Sequence, residues 1–232
     1  MPTANAGNSF VSRAEGKLEG AVRAFSYDFR NKTVLDIGSS TGGFTELALK
    51  LGAKKVIAIE KGTRQMKAPL RFDPRVELHE KTDFFDTARE ASEPMFLSPR
   101  PSLPSSRGSG ANSRQQAPKC DKNMVRLASL SVPVNTILAD VSFVSLTKIL
   151  RHTRQFADSE TDFLVMLKPQ FEAEAYQLKN GVVKNEKMRR DIIKRFEEWL
   201  KRNKFIILNK RDNEVVGKNG NKERFYYLKL AK

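Results

Sequence analysis

The stretch that most restricts how this 232-residue chain can fold is DIGSSTGGFT, Asp36 to Thr45. Ahead of it, Lys32–Ile37 (KTVLDI) is a short apolar run that ends in an acid and a glycine. Behind it, Thr41–Leu51 (TGGFTELALKL) places Phe44, Leu47, Ala48 and Leu51 on one helical face. A continuous apolar run suits a strand buried on both faces, and a period near 3.6 suits the helix that covers it. Strand, glycine turn and helix in immediate succession open a β-α-β unit. The alternation then continues. Lys55–Glu60 (KVIAIE), Val76–His79, Val134–Ala139 (VNTILA), Phe163–Leu167 (FLVML), Phe205–Leu208 and Phe225–Leu230 raise the strand candidates to seven. Glu186–Asn203 carries Met188, Ile192, Ile193, Phe196, Trp199 and Leu200 as one apolar stripe, with Lys and Arg opposite. This order predicts an α/β fold, a Rossmann-like, seven-stranded, mostly parallel sheet with helices on both faces. The short link Lys210–Arg224 between the last two strands predicts an antiparallel hairpin at the C-terminal end.

The length fits one domain over residues 1–232. Residues 94–123 (PMFLSPRPSLPSSRGSGANSRQQAPKCDKN) interrupt the pattern, being rich in Pro, Ser and Gly and poor in large apolar side chains. Such a stretch buries too little surface to offset its ordering entropy, so it reads as a flexible surface insertion. The single cysteine, Cys120, excludes an internal disulfide, and with only His79 and His152 beside it no zinc cluster is expected. No apolar run reaches the roughly 18 residues of a membrane span, and the N-terminus lacks the charged start and apolar stretch of a secretory signal. A soluble cytoplasmic protein is therefore expected. Forty-two Lys and Arg against 27 Asp and Glu leave a net charge of +15. A field of that sign concentrates polyanions, and nucleic acid is the expected partner.

The glycine turn is a ligand site in outline. Gly38, Gly42 and Gly43 allow close backbone approach, and the turn through Ser39, Ser40 and Thr41 leads at once into the helix that carries Phe44. Dinucleotide sites share this outline, but two features argue against one. Asp36 stands two residues before the first glycine, where a carboxylate would repel a pyrophosphate yet suit the methionyl ammonium of S-adenosylmethionine. Ser40 stands where the G-x-G-x-x-G fingerprint needs its middle glycine. Glu60, ending the second strand, is placed to accept from two ribose hydroxyls, and Asp83, after the third, from an adenine amino group. Glu60 suits either cofactor and does not discriminate.

Three motifs in order, DIGSSTGGFT, ADVSFVSL (Ala139–Leu146) and LKPQFE (Leu167–Glu172), resemble the TlyA (hemolysin A) family of FtsJ-like rRNA 2'-O-methyltransferases. VSR…KLEGA (Val11–Ala21), LGAKKV, RQM…LR.DPRV (Arg64–Val76), KNGVVKN (Lys179–Asn185) and GNKE (Gly220–Glu223) extend the match from about Phe10 to the C-terminus. The resemblance implies a class I methyltransferase that uses S-adenosylmethionine and acts on ribosomal RNA, with cytidine as target. It also implies a Lys-Asp-Lys-Glu catalytic set. Residue by residue, the set falls on Lys17, four after Arg13, on Asp140 before Val-Ser-Phe, on Lys168 in LKPQFE and on Glu223 in GNKE. Glu214 is the alternative for the last.

The residues read bottom-up agree with those roles. Asp140 and Lys168 end strand candidates, where open α/β sheets hold their ligands. A ribose hydroxyl is a poor nucleophile, so a base must remove its proton. A lysine serves only when neutral, a form that burial and a neighbouring cation favour. On this reading Lys168 is the base, Asp140 its orienter, and Lys17 and Glu223 tune charge and position the ribose. Phe143 and Phe171 are placed either to stack on an unpaired base or to pack in the core.

The sequence departs from the family pattern in four ways. Members typically carry an S4-type RNA-binding domain ahead of this one, and here about ten residues precede the match, so capture of RNA is expected to rest on the domain's own charge, on the insertion or on a partner protein. Glu60 stands where Asp is usual and Asp83 where Asn is common. Ala14 and Glu15 replace a glycine pair. Two other readings follow from the same residues. One is an RNA-binding protein of this fold without activity, which the intact Lys-Asp-Lys set opposes. The other is a membrane-lytic protein, which the lack of a long apolar segment opposes.

Overall fold

A computed structural model of the chain describes residues 13–89, 125–127, 134–214 and 220–232. The stretch 94–123 lies outside the described residues. Helix α1 (Arg13–Phe25) leads into strand β1 (Thr33–Ile37), helix α2 (Gly43–Lys50) and strands β2 (Lys55–Ile59) and β3 (Val76–His79). Two short strands, β4 (Thr87–Arg89) and β5 (Val125–Leu127), pair in parallel. Then come β6 (Thr136–Ala139), α3 (Leu146–Thr153), β7 (Asp162–Leu167), the small hairpin β8 (Leu178–Lys179) and β9 (Val182–Val183), and α4 (Glu186–Arg202). Strands β10 (Phe205–Asp212) and β11 (Arg224–Leu230) close the chain.

Seven strands form one sheet in the order β10-β11-β7-β6-β1-β2-β3. Strands β3, β2, β1, β6 and β7 pair in parallel. β11 runs antiparallel to both β7 and β10, so the anticipated hairpin is present, with its second strand wedged inside the sheet.

Side chains alternate across the sheet, and that alternation builds two cores. Leu35 and Ile37, Ile137 and Ala139, and Phe163, Val165 and Leu167 point to one face, where Ile149 and Leu150 of α3 and Ile193, Phe196 and Leu200 of α4 cover them. Val34, Leu138, Leu164 and Met166 point to the other, under Leu18, Ala21 and Val22 of α1 and Phe44, Leu47 and Ala48 of α2. Burying each such side chain is worth roughly 1.5–3 kcal/mol, which is why helices rich in Lys and Arg still dock.

Helix α2 starts at Gly43, two residues after the sequence expectation. Gly42 sits at φ +94°, outside the helical region, and serves as the N-cap. Helix α1 is an addition to the sequence reading. At the opposite end of the sheet from the strand C-termini, Lys32 Nζ and the Tyr27 hydroxyl both donate to Asp162 Oδ2, at 2.8 and 3.0 Å, and the Tyr227 hydroxyl donates to Oδ1 at 2.9 Å. This network fixes the start of β7 and leaves the C-terminal rim free for chemistry.

Candidate active site

The C-terminal ends of β1, β2 and β6 frame the glycine turn. Gly38 lies at φ +78° against β6: a Cβ there would stand 3.4 Å from the carbonyl oxygen of Asp140. The backbone donors of the turn are already committed. The amides of Gly38 and Ser39 donate to the Ile59 carbonyl at 2.9 and 3.2 Å, Gly42 donates to the Ser39 carbonyl at 2.8 Å, and Ser40 donates to Glu60 Oε2 at 2.8 Å. A pyrophosphate would find few free N–H groups here and three carboxylates, Asp36, Glu60 and Asp140. That donor set suits a ligand with positive charge.

Asp36 is 1% exposed. Its Oδ2 accepts from the Thr45 hydroxyl at 2.6 Å, while Oδ1 is buried without a hydrogen-bond partner, as is Ser39 Oγ. Burial above all raises the Asp36 carboxyl to about 7. The Thr45 hydroxyl opposes the shift, and the negative charge of Asp140 adds to it. An orphaned, reluctant carboxylate is costly unless a cationic donor completes it. Glu60 is held by three donors, since Gly62 N–H and Gln65 Nε2 reach its Oε1 at 2.6 and 3.2 Å beside the Ser40 contact. A ribose hydroxyl would share those oxygens. Asp83 accepts from the Phe85 amide at 3.0 Å and from Lys61 Nζ at 2.8 Å; the Lys61 contact, first of all, lowers its carboxyl below the usual range.

Two cavities meet at this rim. One of about 740 Å³ runs between Glu60, Asp83, Phe84, Phe85 and Val141 and has the size and apolar walls for a nucleoside. A smaller one of about 220 Å³ is lined by Ala14, Ser39, Thr41, Phe44 and Lys168. Gly38, Ser40, Asp140 and Ser142 line both.

The four residues of the expected catalytic set form two ion pairs. Lys168 directly follows β7, and its Nζ lies 2.6 Å from Asp140 Oδ1, with side chains 10% and 17% exposed. Lys17, on α1, places its Nζ 2.6 Å from Glu223 Oε2, with side chains 9% and 4% exposed. The β7–β11 register brings the pairs together: Arg224 lies opposite Leu167, so Glu223 stands level with Lys168. Glu214 is mostly exposed and pairs with Arg211 instead. Phe143 is 92% exposed at φ +63°, a strained backbone for a bulky residue, and its ring lies 5.2 Å from that of Phe171.

Three contributors escaped the sequence reading. Ser142 Oγ accepts from Lys168 Nζ at 2.9 Å. Glu172 accepts from the Ser145 hydroxyl at 2.7 Å and the Leu146 amide at 2.6 Å, which ties the loop after Lys168 to the loop after Asp140. Arg189 donates to the Lys222 carbonyl at 3.1 Å and to Asp212 at 2.6 Å, anchoring the segment that carries Glu223. Ser142 and Glu172 lie inside ADVSFVSL and LKPQFE, so motif membership was their only signal.

Comparison with known proteins bears on this geometry. The chain is 33% identical over 215 residues to Hemolysin A of Brachyspira hyodysenteriae, covering 92% of this chain and 74% of that one. It is 28% identical over 220 residues to the 23S rRNA (cytidine-2'-O)-methyltransferase TlyA of Campylobacter jejuni, covering 94% and 70%. Against YqxC of Bacillus subtilis, provisionally named an rRNA methyltransferase, identity is 32% over 220 residues, covering 94% and 65%. The chain thus spans about two thirds to three quarters of the length of these relatives. Among solved structures, a protein of Streptococcus thermophilus carried under the provisional name hemolysin superposes with a TM-score of 0.74 at 26% identity, over 97% of this chain and 68% of that one. The profile of the FtsJ-like methyltransferases matches residues 10–230, and the chain belongs to that family.

Proposed function

We propose that this chain methylates a ribose 2'-hydroxyl of RNA with S-adenosylmethionine as donor, and that its substrate is ribosomal RNA, with cytidine the modified nucleoside. The observation that carries this reading is a half-buried ion pair, Lys168–Asp140, at an acidic, nucleoside-sized cavity that Asp140 lines, with a second, buried pair, Lys17–Glu223, brought beside it by the β7–β11 register. The names of the relatives supply the class of RNA. When bound, S-adenosylmethionine supplies an electrophilic methyl group on a positively charged sulfur. Asp36 would hold its ammonium, Glu60 its ribose and Asp83 its adenine.

The protein's part is to hold and move one proton. In its neutral form Lys168 takes the proton of the 2'-hydroxyl as the oxygen bonds to the methyl carbon. Asp140 keeps the amine in place and stabilises the ammonium that results. The second pair, nearly closed to solvent, fixes the end of β11 beside Lys168, and Phe143 with Phe171 offers a stacking surface for the target base. The name hemolysin among relatives raises membrane lysis as a rival, and among the described residues no helix is long and apolar enough to cross a membrane.

The test is methyl transfer from labelled S-adenosylmethionine to ribosomal RNA, with mapping of 2'-O-methyl marks. Lys168→Ala should lower transfer by about 10²–10⁴-fold while calorimetry shows cofactor affinity within about twofold of the parent. Transfer at the parental rate would remove Lys168 from the mechanism, and tight NAD binding instead of S-adenosylmethionine would overturn the cofactor.

A further inference from the structure

A lysine amine that is to act as a base must aim its lone pair as well as lose its charge. The side chain of Lys168 ends in a freely rotating group with three N–H positions. Asp140 Oδ1 lies 2.6 Å from Nζ as an ion partner but is not in hydrogen-bonding geometry, whereas Ser142 Oγ accepts a hydrogen bond from Nζ at 2.9 Å. The carboxylate attracts the amine without aiming it. The serine contact directs one N–H, which stops rotation about the Cε–Nζ bond, and with the carboxylate on a second side the remaining direction is left for the cavity that Lys168 lines with Ser39 and Phe44. Ser142 is well placed for this. It follows Asp140 by two residues and lines both the nucleoside cavity and the smaller one.

We propose that Ser142 is a positioning residue of the methyl-transfer reaction, its hydroxyl locking the rotation of the Lys168 amine so that the lone pair points at the incoming 2'-hydroxyl. This rests on the reading of Lys168 as the base. In the step itself the 2'-oxygen bonds to the methyl carbon, the sulfur keeps the electron pair of the bond that breaks, and the hydroxyl proton goes to the open position on Lys168 Nζ. The hydrogen bond to Ser142 and the ion pair with Asp140 persist throughout, so the amine gains a proton without turning. Without the serine hydroxyl, only a fraction of amine orientations would meet the substrate, and the loss would fall on turnover rather than on binding.

The experiment compares the parent, Ser142→Ala and Ser142→Thr in steady-state methylation of ribosomal RNA across pH 6–10, with cofactor affinity measured by calorimetry on each. The alanine variant should lower kcat about ten- to a hundredfold, the range set by a hydrogen bond to a charged group. KM for RNA and cofactor affinity should stay within about twofold. Threonine keeps the hydroxyl and should restore the rate. A kcat for Ser142→Ala within twofold of the parent overturns the proposal. So does a loss confined to cofactor affinity, which would make Ser142 a wall of the cofactor cavity, and so does a threonine variant as slow as the alanine one. Failure of the parental protein to methylate RNA would instead strike at the function proposed above, and the two failures are distinct.

Discussion

The carboxyl of Asp36 offers a prediction that needs no RNA. In the fold it is completely buried, with one oxygen unpartnered, and burial holds it at about 7 against the ordinary 3.8. Between those values the unfolded chain is ionised while the folded chain keeps the proton. Folding stability is therefore greatest at and below about pH 4, falls as pH rises toward 7, and levels off once both states are charged. The two values lie about three units apart, and each unit corresponds to about 1.4 kcal/mol, so the loss is on the order of 4 kcal/mol at most, with relaxation of the site reducing it. Asp36→Asn keeps an acceptor for Thr45 and removes the titration. Urea unfolding at pH 5 to 8.5 should show the parent losing stability relative to the variant as pH rises, by up to about 1.4 kcal/mol per unit below pH 7. Groups common to both proteins cancel in the difference. The same carboxyl couples to the cofactor. An ammonium placed beside Oδ1 favours the ionised form, so binding at pH 7 should release close to half a proton and tighten as pH rises through 7. Calorimetry in buffers of different ionisation heats measures that proton directly, and Asp36→Asn should release none. Parallel stability curves for the two proteins, or equal proton release, would refute the reasoning.

Three further outcomes are expected. Lys17→Met leaves the Glu223 carboxylate buried without its partner and should cost about 3–5 kcal/mol in denaturant unfolding, whereas combining it with Glu223→Leu should recover much of the loss. Phe143→Ala, at a side chain almost wholly exposed, should weaken RNA binding by roughly 1–3 kcal/mol in a filter or fluorescence assay and leave thermal stability unchanged. Gly42→Ala forces a Cβ onto a left-handed residue and against Leu70 Cδ2, so it should destabilise the protein by about 1–2 kcal/mol in thermal unfolding and weaken the cofactor site with it.

The local pattern of the chain revealed much of this fold. All seven strands of the main sheet fall on runs that alternation and apolarity marked out: the central strands, buried on both faces, are apolar along most of their length, while the edge strands β3 and β10 keep only a partial apolar run. Helix α4 shows its stripe for a similar reason: Ile192, Ile193, Phe196 and Leu200 all face the core. Helix α1 was harder to see. Its buried positions, Leu18, Ala21, Val22 and Phe25, are spread among Glu, Gly and Arg, and it precedes the first strand. The insertion of β11 between β7 and β10 is a long-range pairing that no local spacing encodes. At the site, the choice of Glu223 over Glu214 depends on which one the β7–β11 register brings level with Lys168, and that is a property of the sheet. The ties made by Ser142, Glu172 and Arg189 are invisible for the same reason, since each joins loops far apart in the sequence.

The contact between Lys17 and Glu223 spans 206 positions of the chain. One partner belongs to the first described helix and the other to the threshold of the last described strand, so the two can meet only once residue 223 has been made. A growing polypeptide short of residue 223 already contains the glycine turn, Asp140 and Lys168, yet lacks β11, the strand that flanks β7 beside Lys168. On the function proposed above, the four-residue set is therefore completed last, by a long-range pairing rather than by any local fold.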